Sequence, residues 1–200
     1  MPVSFQTAVL ENGLTIAAEI DPSAHTSAVG FFVRTGARDE LSDVMGVSHF
    51  LEHMMFKGTD RRTAEEVDRD FDRLGAEHNA YTTTEMTAFY AHVLPEHLDA
   101  ATDILADIMR PSLRVQDFED ERQVILEEIA MYKDQPVWVL YERAMEIFYK
   151  GHALSHRVLG TEETIKALQR EQMASYFENR YSADNTVVAC SGAIDFDRLY

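Results

Sequence analysis

The segment Gly46–Lys57 limits the fold more than any other part of the chain. Val47, Phe50, Leu51, Met54, Met55 and Phe56 spread apolar surface around most of its circumference, so as a helix it must be buried. The same helix carries His49, Glu52 and His53. At about 100° per residue the two histidines stand roughly 40° apart around the axis, with Glu52 about 60° to the other side of His49, so all three share one face. A buried, unpaired carboxylate there must lose its charge or incur a large desolvation cost. A divalent cation with its water removes that difficulty. Imidazoles one turn apart can both aim a ring nitrogen at one zinc ion, at about 2.0–2.1 Å, while the carboxylate reaches the water on it. His49-Phe50-Leu51-Glu52-His53 is an H-x-x-E-H arrangement, the H-E-x-x-H geometry with the helix direction reversed.

A catalytic zinc takes three protein ligands and leaves a position for water. The third ligand has to come from elsewhere, and the acid-rich stretch Asp117–Asp134 is the source. Its apolar stripe, Phe118, Ile125, Ile129 and Tyr132, falls within about 60° on a helical wheel. Glu127 points away from that stripe, toward solvent, whereas Glu121 and Glu128 lie on one flank of it and can look inward. The wheel leaves both Glu128 and Glu121 ahead of Glu127.

Around these two helices the patterns are those of an α+β domain: a mixed, largely antiparallel sheet packed against helices. Ser4–Leu10 and Thr15–Ile20 alternate and are joined through Asn12-Gly13, a hairpin signal. Strands are expected at Thr26–Arg34, Glu77–Thr82, Met86–Leu94 and Asn185–Ser191. Helices are expected at Thr63–Leu74, with Thr63 and Glu66 as cap, from Pro95 through Met109, from Val115 up to a break at Pro136, then at Val137–Tyr149, Thr161–Leu168 and Arg170–Asn179. No repeat or linker divides residues 1–200, which are read as a single domain.

Composition excludes some roles. The formal charge of −17, from 35 acidic against 18 basic residues, disfavours binding to a phosphate backbone and leans toward basic peptides as encounter partners. The opening MPVSFQTAVLENG lacks a basic n-region and an apolar h-region, and no apolar run approaches the roughly 20 residues of a membrane span. A single cysteine, Cys190, in an apolar run, reads as a buried thiol in a reducing compartment. The expectation is a cytoplasmic protein without nucleic-acid or membrane partners.

Gly46 through Thr59 resembles, along its whole length, the zinc helix of the pitrilysin/insulinase metallopeptidases, with Ser48 where alanine is more usual. The branch it is most similar to is that of mitochondrial processing peptidase and bacterial processing-protease homologues. Asn79-Ala80-Tyr81-Thr82, with Glu85 and Thr87, resembles the family's substrate-edge strand. Glu121 through Glu128 resembles its third-ligand helix, and Leu159-Gly160-Thr161 a later loop.

The resemblance implies one half-repeat of a two-halved zinc endopeptidase, with Zn2+ on His49, His53 and Glu128 and Glu52 as general base. It sets Glu121 among the catalytic groups as an acid supporting the site, and Asn79 and Ala80 as contacts to an extended peptide, by strand addition to a sheet edge. The expected partners are peptide substrates, further copies of the chain, and a second half or partner subunit closing over the zinc, without which residues 1–200 hydrolyse peptides poorly. The alternative is a noncatalytic peptide-binding or scaffold subunit, although such members typically lack part of the zinc motif.

Overall fold

A computed structural model describes residues 2–200. In chain order the strands are β1 (Ser4–Val9), β2 (Thr15–Ile20), β3 (Ser27–Val33), β4 (Glu77–Thr82), β5 (Thr87–Val93) and β6 (Thr186–Gly192). The helices are α1 (Val47–Met55), α2 (Ala64–Leu74), α3 (Leu98–Ile108), α4 (Val115–Lys133), α5 (Pro136–Phe148), α6 (Glu162–Ala167), α7 (Arg170–Arg180) and α8 (Phe196–Leu199). The six strands form one sheet in the order β1-β2-β6-β3-β5-β4. Only the β2/β6 ladder is parallel; the other pairs are antiparallel. This is the mixed, largely antiparallel α+β arrangement expected from the patterns.

Local chemistry accounts for most element ends. The β1/β2 turn closes with Gly13 N–H donating to the Leu10 carbonyl at 2.9 Å. Thr63 and Glu66 form the expected reciprocal cap of α2, with bonds of 2.9 and 3.2 Å. Pro136 breaks the chain after α4 and then serves as the first residue of α5, where its missing N–H costs nothing. The helix expected from Pro95 instead starts as a 3-10 turn, Pro95–His97, before α3. The helix α8, four residues long, and the short 3-10 turns carry too little periodicity to be read from sequence. No helix among the described residues is long and apolar enough to cross a membrane.

Helix α1 sits at the centre of the core. Val47, Phe50, Leu51, Met54 and Met55 are each 1% exposed or less. Phe50 stacks flat on Phe118 of α4, ring centroids 4.7 Å apart and planes 4° from parallel, and this contact sets α4 alongside α1. The entry to α1 is equally tight. Gly46 adopts φ +94°, and a Cβ there would lie 2.7 Å from the Leu159 carbonyl, so glycine alone lets the 159–160 loop close against the start of the helix. Strand β4 is the outer strand on the other side of α1, leaving one backbone edge unpaired.

Replacing Phe50 by Ala removes the stacking partner of Phe118 and should lower unfolding free energy by about 3–5 kcal/mol. Urea denaturation measures it, and a loss below about 1 kcal/mol would show that this contact does not anchor α1.

Candidate metal centre

His49 and His53, one turn apart on α1, turn their rings toward α4, with centroids 4.7 Å apart. Glu128 on α4 meets them: its Oε2 lies 3.6 Å from Nε2 of His49 and 3.7 Å from Nε2 of His53. One ligand atom from each of the three residues falls within 4.8 Å of the others. A tetrahedral ion with bonds near 2.05 Å separates its ligands by about 3.4 Å, close to the two distances from Glu128 to the histidines. Glu128 Oε2 is buried and accepts no hydrogen bond among the described residues, and a cation gives that oxygen a partner. The residues present therefore fit a zinc ion. Glu127, by contrast, is exposed on the far side of α4.

The charge states suit the same role. Burial, aided by the neighbouring His53, pushes the pKa of His49 down to about 3, so its imidazole is neutral at pH 7 and its approach to Glu128 is not an ion pair. A neutral imidazole is the form that ligates metal. Burial raises both Glu52 and Glu128.

Known proteins resemble this chain in sequence and fold. Residues 15–162 match the insulinase (peptidase family M16) profile. The chain belongs to this family.

Over 185 residues it is 37% identical to an uncharacterized zinc protease of Bacillus subtilis, YmxG, covering 92% of this chain and 45% of that protein. It is 36% identical over 198 residues to the mitochondrial-processing peptidase subunit beta of Neurospora crassa, covering 98% of this chain and 42% of that one. The crystal structure of a protease from Helicobacter pylori superposes with a TM-score of 0.95 over 98% of this chain and 48% of that chain; at 24% identity the likeness is one of fold. The chain spans about half the length of the relatives it matches.

Within this M16 chain a second layer of polar contacts surrounds the cluster. Glu121 accepts from His53 Nδ1 at 2.7 Å and pairs with Lys57 Nζ at 2.6 Å. Burial alone would raise the Glu121 pKa, but His53 and Lys57 outweigh it and lower it. Burial likewise pulls His53 down, while the bond and charge of Glu121 more than compensate and raise it. With Nδ1 held by Glu121, Nε2 of His53 is the nitrogen facing Glu128. Glu52 stands beside the cluster and accepts a hydrogen bond from the Thr82 hydroxyl of β4.

Behind α1, the buried Glu40 carboxylate accepts from Gly46 N–H at 2.7 Å and Ser48 N–H at 2.8 Å, capping the helix one residue before His49. Burial raises its pKa against the pull of those donors. Ser48 places its hydroxyl 2.7 Å from that of Tyr176, which also meets Thr35 at 2.7 Å.

Asn79 and Ala80 lie on the edge strand β4. Ala80 borders the cavity next to the metal cluster, whereas Asn79 faces solvent and its Oδ1 accepts from Ala80 N–H at 2.8 Å. The supporting roles of Lys57, Thr82, Glu40 and Tyr176 were not read from sequence. Lys57, four residues after His53, continues the line of that residue and was the one with a usable signal.

Glu121→Gln should weaken zinc retention about 10- to 100-fold, read by chelator competition, because it loosens the His53 ring. Glu127→Gln should leave retention unchanged. A loss in Glu127→Gln equal to that in Glu128→Gln would contradict this geometry.

Proposed function

We propose that this chain is the zinc-bearing half of a metalloendopeptidase that hydrolyses extended peptides or precursor segments. The observation that carries the reading is the convergence of His49, His53 and Glu128 from two helices, with Glu52 free of that trio and beside it. The M16 membership and the zinc-protease relatives support it.

When bound, zinc supplies Lewis-acid chemistry, acidifying water and stabilising negative charge on the scissile carbonyl oxygen. Nε2 of His49, Nε2 of His53 and the Glu128 carboxylate would hold it. Glu121 fixes the tautomer and tilt of His53. Glu52 takes a proton from the attacking water as the new C–O bond forms, then delivers that proton to the amine nitrogen as the C–N bond breaks. Its carboxyl, raised by burial, is better matched to this exchange near neutral pH than a solvated one.

The peptide would lie along the open edge of β4 next to Ala80, adding a strand to the sheet, with alternate side chains directed inward. Inward of that edge is a cavity of about 330 Å³ bordered by Trp138, Tyr141 and Met145 of α5, suited to a bulky apolar side chain. Arg157 pairs with the nearby acids Glu142 and Glu146, so the preference for basic peptides rests on the overall charge of −17 and not on this groove.

Efficient turnover would require a second half or partner subunit over the site, in keeping with the share of its relatives that the chain spans. A cytoplasmic location belongs to the same reading, supported by the single buried thiol of Cys190.

Glu52→Gln in the full-length protein should retain zinc and lose about 10²- to 10⁴-fold in kcat. Elemental analysis and a peptide-cleavage assay measure the two quantities, and turnover at the wild-type rate excludes Glu52 as the base.

A further inference from the structure

We propose that Thr82 is a positioning residue for the hydrolytic base: its hydroxyl clamps Oε2 of Glu52 and leaves Oε1 to receive the proton of the attacking water. The proposal rests on the assignment of Glu52 as base. Thr82 Oγ1 donates to Glu52 Oε2 at 2.5 Å. A hydroxyl has one proton to give, and this contact uses it. The last torsion of a glutamate side chain is broad and roughly two-fold, so an untethered carboxylate would sample many tilts. The clamp selects one.

The anchor is stiffer than the group it holds. Thr82 ends β4 opposite Thr87 of β5. The turn that follows is closed by Thr83 N–H to the Met86 carbonyl at 2.7 Å and by Met86 N–H to Thr83 Oγ1 at 3.0 Å. From the other side, Ala37 N–H reaches the Thr83 carbonyl at 3.2 Å and Arg38 N–H the Thr84 carbonyl at 2.8 Å. This approach depends on Gly36, where a Cβ would lie only 2.4 Å from the Thr83 oxygen. The scaffold thus fixes Thr82, and Thr82 fixes Glu52. Because β4 is also the edge strand, one element sets both the register of the peptide carbonyl and the direction of the base. Misplacing a catalytic group by about 1 Å can cost on the order of 10²-fold in rate.

The test compares Thr82→Val, Thr82→Ser and Glu52→Gln in the zinc-loaded full-length protein. Thr82→Val should lower kcat about 10- to 100-fold with KM and zinc content unchanged, and Thr82→Ser should restore most of the loss. A Thr82→Val kcat within about twofold of wild type, or an effect on KM alone, overturns the proposal. If Glu52→Gln is inactive while Thr82→Val is not impaired, only the positioning role falls; if Glu52→Gln stays active, the assignment of the base falls with it. Crystal structures with zinc bound give a readout independent of turnover. The Glu52 carboxylate should hold one orientation in wild type and Thr82→Ser and turn or split in Thr82→Val; an unchanged orientation in Thr82→Val also overturns the proposal.

Discussion

Burying a helix that bears two imidazoles and a carboxylate is unfavourable unless each polar group meets a partner in the interior. Helix α1 meets that condition for most of its polar groups. Its apolar faces fill the core, with Phe50 flat against Phe118, and this stacking lays α4 alongside so that Glu128 faces the histidine pair. Glu121 takes the Nδ1–H of His53, Thr82 donates to Glu52, and Glu40 receives the free N–H groups at the helix start. What remains at the cluster among the described residues is His49 Nδ1, which meets no partner, and Glu128 Oε2, buried with no donor. A cation is the partner that this arrangement lacks.

The same burial shapes the chemistry. Removing water from His49 keeps it neutral and able to ligate, while the ion pair of Lys57 with Glu121 keeps that acid charged against its own burial. Two acids of one helix thereby make different contacts: Glu121 accepts from His53 Nδ1, and Glu128 turns an oxygen toward both histidines. Glu52, the proposed general base, is separate from both. Its side chain bonds to the sheet edge and not to α4, so the element proposed to receive the peptide also aims the group proposed to activate water.

Much of this was legible because it is periodic. The spacing of His49, Glu52 and His53 put three polar groups on one face of a helix too apolar to be exposed, and the stripe of α4 separated Glu127 from its inward neighbours. Strand positions followed from alternation, the cap of α2 from Thr63, and the break between α4 and α5 from Pro136. Contacts made across long sequence separations were not legible. Strand β6 inserts between β2 and β3 and runs parallel to β2, an order that local pattern does not encode. Thr82 meets Glu52 across 30 residues and Tyr176 meets Ser48 across 128, through single hydroxyls that leave no periodic trace. Glu40 stands in a loop among other acids, where only the fold shows that it is buried.

The central claim is that two imidazoles of α1 and one carboxylate of α4 hold a single zinc ion. Diffraction from zinc-grown crystals, recorded on both sides of the zinc absorption edge, tests it most directly. The account predicts one strong anomalous peak about 2.0–2.2 Å from His49 Nε2, His53 Nε2 and a Glu128 oxygen. Zinc bound elsewhere, with these three side chains left without metal, would contradict it.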